Sequence, residues 1–205
     1  DIRTRKGANL NLKGGAEKIL DKTISPLNFS LRPDDFFGIA PKLILKEGAT
    51  VKLGSPIFFS KKNPHIKFVS PVAGTIMSVV RGPKRKIENI IIKASTKQDS
   101  IKYSVSGWDK KNRDDLKSLL TSIGNWPFIH QRPYGIIANP IDTPKAIFVS
   151  TVKTDPLYGD LQFILKDQKN DFQMGINLLN KLVDQPVFLG VEKEFSDYFE
   201  SIEGV

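Results

Sequence analysis

Glycine and proline punctuate the chain from Leu27 to about Ile92 so closely that no helix longer than a turn fits between them. What does fit is a succession of short strands. Lys42-Leu43-Ile44-Leu45 runs into Glu47-Gly48, Val51-Lys52-Leu53 into Gly54, and Pro56-Ile57-Phe58-Phe59 follows at once. Ile66 to Val69, Thr75 to Val80 and Glu88 to Lys93 complete the series, with Pro71-Val72-Ala73-Gly74 between the first two. Strands with turn signals at this spacing bury a core as a compact sandwich or barrel.

After Tyr103 the period changes. Asn112 stands where an N-cap belongs, with Asp114 and Asp115 in the first turn, where carboxylates favour the helix dipole. Leu116, Leu119, Leu120 and Ile123 follow at helical spacing, and Gly124 stops the helix before Pro127. Lys145 to Ser150 is nearly all apolar, as expected of a buried parallel strand, and Pro186 to Gly190 reads the same way. Between them, Asp160 to Val183 predicts one long amphipathic helix with Leu161, Ile164, Leu165, Phe172, Ile176, Leu179 and Leu182 on its stripe. Strand, helix, strand is a βαβ unit with a right-handed crossover, hence a Rossmann-like layer. Its set of strands is partial, which suggests a piece of something longer.

Composition removes several function classes. No apolar run approaches the roughly 18–20 residues of a membrane-spanning helix, and Asp1 to Lys22 lacks the apolar core of a signal peptide. The balance is that of a soluble globular chain. With no cysteine there is no disulfide, no thiolate nucleophile and no cysteine-held iron–sulfur cluster. His65 and His130 lie far apart, and neither has a carboxylate at metal-ligand spacing, so no metal site is expected. The formal net charge of +9 favours an anionic partner: a lipid surface, an acidic protein face or nucleic acid.

Residues Lys46 to Ile57, with Glu47-Gly48, Val51 and Gly54, resemble the half-motif of biotinyl and lipoyl carrier domains. Ser70-Pro71-Val72-Ala73-Gly74-Thr75-Ile76 is similar to the matching second half. In that pattern one glycine makes a tight turn and another lets two strands cross closely. A carrier would present its acceptor lysine where this chain has Asn63. Lys62 is one place out of register and Pro64 stiffens the tip. The resemblance therefore implies a barrel-sandwich hybrid without a swinging arm. The expected organisation is α+β in two parts: residues 1–105 a barrel-sandwich hybrid with an N-terminal extension, and residues 106–205 a truncated Rossmann-like α/β domain.

A longer ordered series carries a second resemblance. Lys61-Lys62-Asn63-Pro64, Lys67-Phe68, Pro71 to Gly74, Arg81-Gly82-Pro83-Lys84-Arg85, Arg132-Pro133, Ile141 to Pro144, Ala146 to Val149 and Thr154 to Leu157 together resemble the A-subunit family of the sodium-translocating NADH:quinone oxidoreductase. Members are about twice this length. The resemblance implies a peripheral subunit on the cytoplasmic face of the inner membrane. Its partners would be the other subunits of the complex, with quinone and anionic lipid as further candidates and no nucleic acid. NADH, flavins, an iron–sulfur cluster and quinone would be handled on other subunits or segments, and no cofactor here. Related flavin-bearing subunits wrap a phosphate with a glycine-rich stretch. The comparable stretch, Gly124 to Pro133, keeps one glycine among bulky residues.

Candidate site residues fall into three groups, and no catalytic residue is among them. Lys61, Lys62, Lys67, Arg81, Lys84, Arg85 and Lys86 lie on two hairpins that a sandwich should bring to one end. They read either as solvated turns or as a docking surface for a partner subunit or its lipids, while a nucleic-acid-binding module would need interleaved aromatics. Trp126, Phe128, Arg132 and Tyr134 read as a quinone-proximal pocket or as a seam between domains. Thr154-Asp155-Pro156-Leu157 follows a strand's C-terminal end, where α/β folds place ligands, though Asp155 before proline is equally a turn former.

Overall fold

Turn chemistry sets the path of the β region. The computed structural model describes residues 13–14, 17–20, 25–104, 106–152, 158–192 and 196–205. Gly48 and Gly54 take φ of 82° and 85°. Each is the third residue of a four-residue turn closed by a backbone bond, Ala49 N–H to Lys46 O at 3.2 Å and Ser55 N–H to Lys52 O at 2.9 Å. A positive φ at that position is what a type II turn asks of its glycine.

Between such turns run β1 (Asn28–Leu31), β2 (Pro41–Leu43), β3 (Thr50–Val51), β4 (Pro56–Ser60), β5 (Asn63–Val69), β6 (Gly74–Arg81) and β7 (Ile87–Ala94). They form a four-stranded sheet in the order β1-β7-β6-β3 and a three-stranded sheet in the order β2-β4-β5. Ile57, Phe58, Ile66, Phe68, Ile76, Ile90 and Ile92 point inward and are buried. This is the expected barrel-sandwich hybrid; among the described residues its helical segments are one 3-10 turn at Pro33–Asp35 and a turn of left-handed backbone at Pro83–Arg85. The two half-motifs pair with each other, Thr50 opposite Thr75 and Val51 opposite Gly74.

The glycine roles differ from expectation at one place. The close strand crossing belongs to Gly74, not Gly54: a Cβ on Gly74 would lie 2.1 Å from Lys93 O. Gly74 therefore opens a strand and sits at no turn of its own.

A return segment seals the turn at Gly54. Leu53 bridges Ser100 in parallel, and Tyr103 donates its hydroxyl to Gly54 O at 3.0 Å. Burial pushes the Tyr103 phenol above its usual 10.0. A raised folded value means stability that is present below pH 10.0 and lost as pH rises through the folded value. Chemical denaturation across that window should show the loss, and Tyr103→Phe should flatten it while removing about 1 kcal/mol at neutral pH. An identical alkaline profile in the variant would contradict the assignment.

Helix α1 (Arg113–Ser122) starts and stops as the sequence predicts. Asn112 Oδ1 accepts from Asp115 N–H at 2.8 Å. Gly124, at φ 81°, lets Asn125 N–H reach back to Leu120 O at 3.1 Å, the six-to-one bond of a Schellman stop. The apolar face of α1, Leu116 and Leu120, packs on β5 together with the 3-10 turn Trp126–Phe128. A short hairpin, β8 (His130–Gln131) and β9 (Ile136–Ile137), follows. The compact unit containing the sheets thus runs from Ile24 through Thr143, taking in the helix and hairpin that lie beyond the change of period near Tyr103.

The second compact unit comprises residues 1–23 and 144–205. Its strands β10 (Ile147–Ser150) and β11 (Val187–Gly190) pair in parallel, as a βαβ unit requires. The expected single helix from Asp160 to Val183 is instead two, α2 (Leu161–Leu165) and α3 (Lys169–Asn180). The polar run Lys166 to Asp171 puts no apolar side chain on the buried stripe, so nothing holds a continuous helix there. Tyr198 O–H takes the Leu165 carbonyl that a continuing helix would have used. Ile176 and Val187 form the core with Ile202 and with Phe199 of α4 (Ser196–Phe199).

Among the described residues, only one face of the two strands is covered. Phe148 and Phe188 are 77% and 49% exposed and stack on each other with centroids 5.1 Å apart. The strands therefore alternate between a covered and an open face, although nearly every residue in them is apolar.

Candidate functional site

Two hairpin tips and the segment between them build the basic end. Lys61 and Lys62 form the turn from β4 to β5, and Lys61 N–H donates to Ala40 O at 2.7 Å. At the other tip, from β6 to β7, Lys86 Nζ pairs with Asp34 at 2.6 Å. Asp34 to Ala40 therefore stretches from one tip to the other, a span that cannot exceed roughly 3.5 Å per residue. One short segment thus joins the two hairpin tips.

The cations there have different tasks. Lys67 Nζ donates to Pro64 O at 2.7 Å and lies 4.9 Å from the centre of the Phe59 ring. Arg81 Nη1 donates to Arg85 O at 3.2 Å, bracing the second tip from behind. Lys86 is held by Asp34. Lys61, Lys62, Lys84 and Arg85 carry no ion pair among the described residues, and all are exposed.

Pro83 to Lys86 is closed by Lys86 N–H to Pro83 O at 3.2 Å, with Lys84 and Arg85 at φ of 54° and 60°. Positive φ at both central positions makes this a type I′ turn, whose preferred residues are Asn-Gly. Lysine and arginine there hold a strained backbone.

Beside this tip is a cleft of ≈ 270 Å³ walled by Phe36, Phe37, Ile39, Pro41 and Lys86. Phe37 is 71% exposed and precedes Gly38, at φ 80°. The pair Phe36-Phe37 was not among the candidates from sequence, although two aromatics directly before a glycine and after Asp34-Asp35 were visible there. One faces in: Phe36 meets Phe68 edge-on at 4.6 Å. The other faces out.

The aromatic group behaves differently. Trp126 is 4% exposed and donates Nε1–H to Ala138 O at 2.7 Å, as a core residue of its own unit. Phe128 and Tyr134 are 74% and 69% exposed, and Arg132 is also on the surface. None of the four lines the cleft described above. The buried tryptophan stands apart because the 3-10 turn directs it inward while Phe128 points away.

The stretch Gly124 to Pro133 is shaped by packing. A Cβ on Gly124 would lie 2.7 Å from both methyls of Val69, so its backbone faces a side chain and serves as the helix stop. His65 and His130 are exposed, and no group of histidine and carboxylate side chains that could hold a metal occurs among the described residues. No described helix is long and apolar enough to cross a membrane. Thr154 to Leu157, the third candidate group, lies outside the described residues.

Comparison with known proteins agrees with this architecture. The family described as NqrA N-terminal barrel-sandwich hybrid domain matches residues 2–95, and that described as NqrA second alpha/beta domain matches residues 111–205. The A subunit of the Na(+)-translocating NADH-quinone reductase of Alcanivorax borkumensis is 30% identical over 191 residues, covering 92% of this chain and 43% of its own length. Its counterpart in Rhodopirellula baltica is 33% identical over 192 residues, with 91% and 42% covered. That of Photorhabdus laumondii is 30% identical over 188 residues, with 91% and 42% covered. The chain spans about two fifths of the length of these relatives. With one family model on each side of the change in period, and the predicted sandwich and βαβ unit where those models fall, the chain belongs to the NqrA family, the A subunits of Na(+)-translocating NADH-quinone reductases.

Proposed function

We propose that this chain is the N-terminal part of a cytoplasmic-side, peripheral subunit of a sodium-pumping NADH:quinone oxidoreductase, in which it serves as scaffold and holds no redox centre. The observation that carries the reading is the match of both domains, in order, across nearly the whole chain. Electrons would pass from NADH through flavins and an iron–sulfur cluster held elsewhere in the complex to quinone, with sodium moved across the membrane. Two features support a scaffold role. The glycine of the Gly124 stretch is engaged as a helix stop against Val69, which leaves its backbone no room to cradle a phosphate. The cations free of ion pairs lie on two hairpin tips joined by one short segment, where an anionic face of a partner could meet them. Phe128, Arg132 and Tyr134 are the exposed residues we assign to a quinone-proximal surface; Trp126 serves the fold instead.

The test is purification of the tagged full-length subunit from detergent-solubilised native membranes. It should bring the other subunits with it, and flavin should be recovered from them but not from the 205-residue chain. Recovery of the tagged protein without companions, or of stoichiometric flavin bound to this chain, would overturn the reading.

A further inference from the structure

We infer that the end formed by the Lys84–Arg85 turn, the Lys61–Lys62 turn and Phe37 attaches to the surface of an anionic lipid bilayer. The inference rests on the reading of the chain as a peripheral subunit of a membrane complex, and goes beyond it by naming the lipid as a direct partner.

The turn is the first observation. A four-residue turn with positive φ at both central positions is made without strain by Asn-Gly. Here the same conformation, φ 54° and 60°, is taken by Lys84 and Arg85. Backbone strain of this kind is kept where the side chains it presents have a use. The surroundings agree. Arg81 holds the Arg85 carbonyl at 3.2 Å, Gly82 N–H holds Lys86 O at 2.9 Å, and Lys86 is tied to Asp34. The turn is thus fixed from behind while its two central cations stay free of ion pairs among the described residues.

The second observation is apolar. Phe37, 71% exposed, stands by the same cleft as Lys86, on the segment that joins the two tips. Lys61 and Lys62 lie at the far end of that segment. Cations on two tips, with an exposed aromatic ring on the segment that joins them, match a headgroup layer: phosphates take the cations and the ring settles at the interface. A purely acidic protein face would satisfy the cations and leave Phe37 in water. Single-stranded nucleic acid would need a series of successive stacking rings, which one exposed phenylalanine does not supply.

The experiment is co-sedimentation of the 205-residue chain with vesicles of phosphatidylcholine, with and without about one third phosphatidylglycerol. Binding should require the anionic lipid and weaken as salt is raised. The variant Lys84→Asn/Arg85→Gly installs the residues the turn prefers, so it should unfold at the same or a higher temperature. It should nonetheless bind about 30-fold more weakly, the loss expected for two cations at a charged membrane surface. Phe37→Ser should weaken binding several-fold at low and high salt alike, since its contribution is apolar.

Equal binding to neutral and anionic vesicles, or undiminished binding by the double variant, would overturn the inference. So would salt-sensitive binding to duplex DNA without binding to vesicles. If vesicles are ignored while the full-length subunit still purifies with its complex, the lipid assignment fails and the subunit reading stands. If the chain binds vesicles while the full-length protein purifies without companions, the subunit reading fails and the lipid assignment stands.

Discussion

Phe58→Ala is expected to destabilise the unit formed by residues 24–143 by about 3–5 kcal/mol, the range for truncating a buried phenylalanine. Phe58 is fully buried and stacks on Phe68 with centroids 4.4 Å apart and planes 9° from parallel. Phe68 in turn receives Phe36 edge-on. Removing one ring therefore leaves a cavity in a series of aromatics that ends one residue short of Phe37. Urea titration followed by tryptophan fluorescence suits this change, because Trp126 is buried in the same unit. Phe58→Leu should lose much less, under about 1.5 kcal/mol, because it restores most of the volume. Equal losses for the two variants would show that ring stacking, not volume, dominates at this site. A loss below about 1 kcal/mol for alanine would mean that the core collapses around the gap.

Gly74→Ala should be nearly as severe, through a different mechanism. The added methyl would sit 2.1 Å from Lys93 O and 3.1 Å from Ala94 Cα. Those neighbours are backbone atoms within a paired strand, so no side-chain rotation can make room. Relief requires β6 and β7 to separate at Gly74–Ala94, the register position where the pairing begins. We expect a loss of about 3 kcal/mol, at the upper end for overpacking, and a fall of roughly 10 °C in the thermal midpoint of this unit. The strand pair also carries the Lys84–Arg85 tip at its other end. A stable Gly74→Ala variant should therefore show faster amide exchange along β6 and β7, with α1 unaffected. Unchanged exchange and an unchanged midpoint would mean that the strands do not approach this closely.

These two positions mark the limit of what can be read without a structure. Gly48, Gly54 and Gly74 are all visible as glycines in half-motifs. A turn glycine acts through its own φ, so Gly48 and Gly54 announce themselves within four residues. Gly74 is needed because of Lys93, a residue distant in sequence, and only strand pairing reveals it. The same contrast runs through α1 and the two helices after Asp160. Asn112, the leucine spacing and Gly124 set both ends of α1 locally. The break after Leu165 depends on an unsupported polar run and on Tyr198 arriving from far along the chain. Phe148 and Phe188 look interior by composition, and whether a strand face is covered depends on which elements pack there.

Charge follows the same rule. From sequence, Lys61, Lys62, Lys67, Arg81, Lys84, Arg85 and Lys86 form two undifferentiated basic runs. The fold ties Lys67 to Pro64 and Phe59, Arg81 to Arg85 and Lys86 to Asp34, and leaves the remaining cations outward. Trp126 separates from Phe128 for a similar reason, since one turn of 3-10 helix buries Trp126 and Pro127 and leaves Phe128 exposed. By itself, then, the sequence determined the strand-then-helix division, the turn glycines, the capped helix and the family, because each depends on residue type and short-range spacing. Only the tertiary structure decided which cations stay free, which aromatics face water and where strands touch, because those outcomes depend on residues brought together from distant parts of the chain.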